Sequence, residues 1–176
     1  MEKRHFMHLI TGDGKGKTSA AMGMALRMLG HEKPVLIAQF MKDGKSGELQ
    51  ALRHFPLCHV FEELKMAGFA WRMSDRDIDQ ARTTYINAVQ SLTKEVETIK
   101  PCLLVLDELN VCLAMNLLFF EDAQRLIEVG LRQGEVVVTG RYASPRMEAL
   151  ADYVSVIAAK KHPFDEGFPA REGIEW

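Results

Sequence analysis

Thr11-Gly12-Asp13-Gly14-Lys15-Gly16-Lys17-Thr18-Ser19 is the stretch on which the fold turns. On its amino side, Phe6 to Thr11 alternates in a β-compatible pattern. On its carboxyl side, Ala20 to Leu29 is a helix-forming run rich in Ala, Met and Leu that closes at Gly30. Strand, glycine loop and helix in that order build a phosphate cradle. Gly12, Gly14 and Gly16 let the backbone turn N–H groups around anionic oxygens, and the following helix aims the positive end of its dipole at the same point. Lys17 then meets phosphate oxygens as a point charge, while the Thr18 hydroxyl reaches a bound Mg²⁺. A glycine turn without a ligand is the plain alternative, but Lys15 and Lys17 in one short loop repel each other unless an anion lies between them. Thr11 stands where such loops usually have their first glycine. Counted from Gly12 the cradle is one residue short, so it is expected to close more tightly than usual.

Working outward, 176 residues with 47% hydrophobic and 26% charged content and a net charge of -2 predict one globular domain over 1–176, with a sizeable core. Acidic and basic residues are interspersed, which argues against a nucleic-acid footprint and against a polybasic membrane patch. No run reaches transmembrane length, and Met1-Glu2-Lys3-Arg4 leads straight into a strand rather than into the apolar segment of a signal peptide. Cys58, Cys102 and Cys112 are odd in number and set in apolar surroundings, as reduced thiols of a cytoplasmic protein would be. The six histidines form no metal-binding spacing.

The chain alternates strand-like and helix-like pieces, which predicts an α/β fold with a mainly parallel sheet. Val35 to Phe40 is a continuous apolar run, as expected of a strand covered on both faces. Lys42 to Glu48 reads as a polar loop and Cys58 to Phe61 as a short strand. Met66 to Arg72 is a glycine-bent segment, and Ser74 with Asp77 looks like the cap of a long helix running towards Ile99 and ended by Pro101. Cys102 to Leu106 is a buried strand, followed by helical stretches at Val111 to Met115 and Glu121 to Leu131. The strand Val136 to Thr139, a helix over Pro145 to Ala151 and a strand over Tyr153 to Ala158 complete the alternation. The tail from Lys160 to Trp176 is too rich in Pro, Gly and charge for regular structure, although its three aromatics are expected to dock.

Open parallel sheets collect ligands outside the carboxyl ends of their strands. The glycine loop, Gln39-Phe40, Asp107-Glu108 and Arg141 all fall at such ends, which argues for one site. Asp107-Glu108 after an apolar strand reads as the acidic element whose carboxylates face the Mg²⁺ held by Thr18. Arg141 is open to two readings, a clamp on phosphate oxygens or a surface ion pair. Phe69 and Trp71, two apart in a bent loop, form either part of the core or a wall for a flat ligand; residue types alone favour the core.

These elements together carry a resemblance. Gly12-Asp13-Gly14-Lys15-Gly16-Lys17-Thr18, Gln39-Phe40, Gly47-Glu48, Gly68-Phe69-Ala70-Trp71, Val105-Leu106-Asp107-Glu108-Leu109-Asn110, Thr139-Gly140-Arg141, Lys161-His162-Pro163-Phe164-Asp165 and Gly173-Ile174-Glu175-Trp176 occur in this order over nearly the whole chain. The ordered set resembles the P-loop type of ATP:corrinoid adenosyltransferase. The resemblance implies a three-layer P-loop NTPase (RecA-like) fold and transfer of the 5′-deoxyadenosyl group of ATP to cobalt(I) of a corrinoid, with release of triphosphate. It also implies ATP bound in reversed orientation, which gives the shortened loop a purpose: it holds the leaving group and presents the ribose carbon.

Carried onto matching positions, the resemblance implies that Gly12, Asp13, Gly14, Lys15, Gly16, Lys17, Thr18 and Ser19 bind the triphosphate. Thr18 and Glu108, with Asp107, ligate Mg²⁺, and Arg27 and Arg141 belong to the nucleotide site. Phe69 and Trp71 match aromatics that close the lower axial face of the corrinoid, easing reduction from cobalt(II). A reduced flavoprotein electron donor and a homodimer are further implications. Cobalt(I) is itself a strong nucleophile, so the protein's work is positioning and charge stabilisation. Ala70 and Arg72 depart from the usual residues around the aromatics, and the short N-terminus suggests a more open site. Two other readings stay in view: a conventional P-loop ATPase in which Glu108 orients a water, and a non-catalytic nucleotide or corrinoid sensor.

Overall fold

A computed structural model describes residues 4–42, 46–64 and 75–174. In chain order the elements are β1 (Met7–Thr11), α1 (Lys17–Leu29), β2 (Val35–Gln39), α2 (Gly47–Leu52), β3 (Cys58–Phe61), α3 (Asp75–Ile99), β4 (Leu103–Asp107), α4 (Leu109–Ala114), α5 (Phe120–Gln133), β5 (Glu135–Thr139), α6 (Pro145–Leu150) and β6 (Tyr153–Val156). The strands lie in the order β3-β2-β4-β5-β1-β6, and every pairing is parallel. The α/β reading therefore holds, with an all-parallel sheet and not merely a mainly parallel one.

The central strands are apolar along their whole length because both faces are covered. Alternate residues enter two separate cores. Ile10, Val35, Ile37, Leu103, Val105 and Val137 pack against Ala21, Met22, Ala25 and Leu29 of α1 and Leu49 and Leu52 of α2. Their neighbours on the other face meet α3, α4, α5 and α6, through residues such as Leu92, Leu109, Leu126 and Met147. The result is three layers, helices on sheet on helices. In α5 the buried Ala123, Leu126, Ile127 and Gly130 recur at helical spacing, and each large aliphatic side chain of that stripe contributes about 1.5–3 kcal/mol by leaving water.

Three expectations need correction. The polar loop over Lys42 to Glu48 ends in a helix: α2 begins at Gly47, held not by its polar sequence but by Leu49 and Leu52 buried beneath it. The first helix starts at Lys17, three residues before the expected Ala20, because the glycine loop runs directly into its first turn. The tail contains a 3-10 turn at Pro163–Glu166, and its Phe164 and Phe168 are exposed and not docked. The long helix is present as α3 and ends where Lys100 adopts a left-handed conformation (φ 52) ahead of Pro101. Its expected cap at Ser74, the segment Met66 to Arg72 and the last two residues lie outside the described residues.

Candidate active site

The register places the carboxyl ends of the strands side by side. Gln39 of β2 pairs with Asp107 of β4, and Leu106 of β4 pairs with Val138 of β5, so Asp107 and Thr139 emerge together. The Asp107 carboxylate is fully buried and accepts from four donors. Thr139 Oγ1 donates to Oδ1 at 2.6 Å and Thr18 Oγ1 to the same oxygen at 2.9 Å. Gln39 Nε2 donates to Oδ2 at 3.0 Å and Lys42 Nζ at 2.8 Å. A buried carboxylate without hydrogen-bond partners is costly, and these four donors satisfy both of its oxygens.

The glycine loop is built as much by its neighbour as by its own sequence. Gly14 N–H donates to Ile157 O at 2.7 Å, and Ile157 N–H to Thr11 O at 2.8 Å, so the chain leaving β6 buttresses the loop. A Cβ at Gly12 would lie 2.5 Å from that same Ile157 oxygen, and Gly12 also has φ 99; side-chain-free backbone is needed there on both counts. The loop ends at Gly16 (φ 117), which caps α1 without a side-chain hydrogen bond, leaving the first-turn N–H groups of a 13-residue helix facing the strand ends. No acidic residue sits in that first turn to neutralise it. Lys17 is buried and folds back over the loop, donating to Gly12 O and Gly14 O, both at 2.7 Å. Burial lowers its pKa from the ordinary lysine value, opposed by the nearby Glu108 carboxylate.

Glu108 follows Asp107 in a left-handed conformation (φ 60) at the start of α4, and its backbone N–H is held by Thr139 Oγ1 at 3.0 Å. Left-handed backbone is unusual for a glutamate, and such strain concentrates at functional sites. Burial and the adjacent Asp107 charge raise the pKa of its carboxyl, while Lys42, Lys17 and Arg141 pull it down. Arg141, just past β5, is exposed and reaches the glycine loop, where Nη2 donates to Asp13 O at 3.3 Å. Asp13, Lys15 and Ser19 are also exposed. Phe69 and Trp71 lie outside the described residues.

Arg27 is not brought to this site within one chain. It sits ten residues beyond Lys17, roughly 15 Å along the helix axis. There it lines a groove with Met24, Met28 and His31, closed by Leu103 and Glu135, the first residues of β4 and β5. The helix runs from the carboxyl ends of the strands to their amino ends, so its two termini serve opposite edges of the sheet.

Two residues that meet Asp107 were not singled out from the sequence. Thr139 is an ordinary strand-ending threonine until the register sets it beside Asp107, and by sequence Lys42 is simply part of a polar loop. Gln39 was placed at a strand end, but its role as a donor to the carboxylate needed the fold. Asn110 is buried against Gly140, to whose oxygen its Nδ2 donates at 3.4 Å.

The donor set fits a hard divalent cation. Thr18 supplies a hydroxyl and Asp107 and Glu108 supply carboxylates, and Mg²⁺ is commonly held by one or two carboxylates together with substrate phosphates. A positive centre already lies among them, since Lys42 Nζ is 3.1 Å from Thr18 Oγ1 and 2.8 Å from Asp107 Oδ2. Among the described residues no cluster of three or more His, Cys, Asp or Glu could hold a metal by side chains alone.

A parallel sheet with a glycine loop, a helix N-terminus and an acidic strand end meeting at its carboxyl edge defines an α/β protein of the P-loop NTPase-like class. The family model described as ATP:corrinoid adenosyltransferase BtuR/CobO/CobP matches residues 3–176, and the chain belongs to that family. It is 37% identical to a corrinoid adenosyltransferase of Pseudomonas aeruginosa over 99% of this chain and 85% of the relative. It is 36% identical to the corrinoid adenosyltransferase CobA of Salmonella typhimurium, and 34% to a corrinoid adenosyltransferase of Escherichia coli K12. Each of those two comparisons covers 99% of this chain and 87% of the relative. Among the described residues no helix is long and apolar enough to cross a membrane.

Proposed function

We propose a mechanism for this chain's activity, transfer of the adenosyl group of ATP to a corrinoid, in which the glycine loop grips the triphosphate as a leaving group. The observation that carries it is the gathering of Lys17, Thr18, Gln39, Asp107 and Thr139, all polar and all buried or partly buried, at the one edge of the sheet where the glycine loop opens. Breaking the bond between the ribose carbon and the triphosphate loads negative charge onto the phosphate chain. Lys17, the α1 N-terminus and Arg141 are placed to stabilise that charge as it grows.

As the family resemblance implies, ATP lies in reverse, with triphosphate in the cradle and the ribose carbon presented outward. Thr18, Asp107 and Glu108 would hold Mg²⁺. When bound, the ion neutralises phosphate charge and orients the chain of phosphates. Phe69 and Trp71 close the lower face of the corrinoid, whose cobalt(I), as substrate, attacks the ribose carbon. No protein nucleophile enters this scheme, so binding and orientation supply the acceleration. A reduced flavoprotein as electron donor, a homodimer and a single domain over 1–176 complete the proposal.

The test is product identity. Incubation with ATP, Mg²⁺ and chemically prepared cobalt(I) corrinoid is expected to give a light-sensitive cobalt–carbon product and intact triphosphate in equal amounts. ADP and phosphate in their place would mean that Glu108 orients a water and that the nucleotide lies in the conventional direction.

A further inference from the structure

Lys42 lies three residues past the end of β2, on a turn that is pinned from both sides. Phe40 N–H donates to Asp107 O at 2.8 Å, and Met41, in a left-handed conformation (φ 58), donates its backbone N–H to the Tyr85 hydroxyl oxygen at 3.2 Å. The turn carries the Lys42 side chain back across the strand ends, where it is only 30% exposed. Its ammonium meets two oxygens, Asp107 Oδ2 and Thr18 Oγ1.

The hydrogen-bond inventory of those oxygens decides what the ammonium does. The Thr18 proton is directed to Asp107 Oδ1, so the hydroxyl lone pair that a cation could use is the one facing Lys42. Asp107 Oδ2 accepts from Gln39 and from Lys42, and Oδ1 from Thr139 and Thr18. The lysine therefore takes up acceptor capacity that a divalent ion bridging Thr18 and Asp107 needs. Two positive centres cannot share those atoms at these distances.

We propose that Lys42 is a tethered, displaceable counter-cation: its ammonium and the divalent metal alternate between Thr18 and Asp107. On metal entry the lysine turns to the triphosphate, the nearest strong acceptor the reaction provides. Metal and nucleotide then bind cooperatively, because the metal alone must evict the lysine with nothing to receive it. Lys42 is thus a positioning residue that makes the metal site selective for metal arriving with ATP. The inference rests on the metal reading given under Proposed function.

The test measures equilibrium binding of Mn²⁺ by paramagnetic resonance, with the full chain, with and without ATP and in the absence of corrinoid. Without nucleotide, Lys42→Met is expected to bind Mn²⁺ about ten-fold tighter than wild type, and the factor by which ATP improves Mn²⁺ affinity is expected to shrink by a similar amount. Lys42→Gln, which keeps hydrogen bonding and loses the charge, should behave as Lys42→Met and serves if the latter does not fold. Lys42→Arg should stay near wild type. Equal Mn²⁺ affinity and equal ATP coupling in wild type and the neutral variants, with wild type binding Mn²⁺ in the presence of ATP, would overturn this proposal alone. Wild type binding no Mn²⁺ even with ATP would overturn the metal reading and this proposal with it.

Discussion

At the amino ends of the strands, polar side chains bond to one another in pairs: Arg4 with Asp152 at 2.7 Å, and His8 with Glu135 at 2.9 Å. His8 also stacks on Tyr153 with ring centroids 4.6 Å apart, and Asp152 receives the Met7 N–H. At the carboxyl ends the arrangement is reversed. The buried polar and charged residues among those described, Thr11, Lys17, Gln39, Asp107, Asn110 and Thr139, all lie at or just beyond that edge. Instead of pairing off, four donors converge on the single carboxylate of Asp107.

This difference separates tolerated polarity from retained polarity. Surface pairs contribute little, with a median of about 0–1 kcal/mol, and can be exchanged without consequence. Taking a carboxylate and an ammonium out of water costs several kcal/mol, and well-packed apolar residues would do as well or better for stability alone. The carboxyl edge keeps its buried charges in spite of that cost.

The comparison can be broken from either side. The largest effect is expected at Lys17: Lys17→Ala should lower kcat/KM for adenosyl transfer about 10³-fold, or about 4 kcal/mol in the barrier, as measured with cobalt(I) corrinoid. Activity near wild type would remove the loop from the mechanism. Next, Asp107→Ala leaves Thr18, Thr139 and Gln39 without their shared acceptor. It should cost about 3 kcal/mol in urea unfolding, against less than about 1 kcal/mol for Arg4→Ala at the other edge. Equal losses would mean the two edges do not differ as described.

The smallest effect sharpens the comparison through its sign. The Glu108 carboxyl is raised above its ordinary 4.5 by burial and by Asp107, so the folded protein holds that proton more tightly than the unfolded chain does. The stability this lends is present below the unfolded value and fades as pH rises through the folded one. At pH 7 the ionised, desolvated carboxylate opposes folding, and Glu108→Gln removes that opposition. The variant should melt above wild type at pH 7, with the gap closing towards pH 4, while adenosyl transfer falls. A lower melting temperature at pH 7 would place Glu108 among the stabilising charges instead.

Much of this was legible locally. Gly12 to Thr18 between an alternating strand and an Ala/Met/Leu helix names its own conformation, since glycine spacing, strand period and helix propensity are properties of neighbouring residues. Leu103 to Leu106 followed by Asp107-Glu108 was readable for the same reason. The helix at Gly47–Leu52 was not, because six residues beginning with glycine have too little propensity to form one, and two leucines buried against the α1 core supply what propensity lacks. Arg27 joins the nucleotide site only through the resemblance, and within one chain the fold sets it in the last turn of α1, away from Lys17.

By itself, then, the chain determined its alternation, its glycine cradle and its acidic strand end, all of which depend on interactions within a few residues. Only the tertiary structure decided that Thr18, Gln39, Lys42 and Thr139 share Asp107, across separations of 32 to 89 residues. The same holds for Ile157, which supports a loop some 145 positions away in the chain. Parallel pairing is the physical reason. Strands distant in sequence are set side by side with their ends in register, and the polar residues that end them are then close enough to bond.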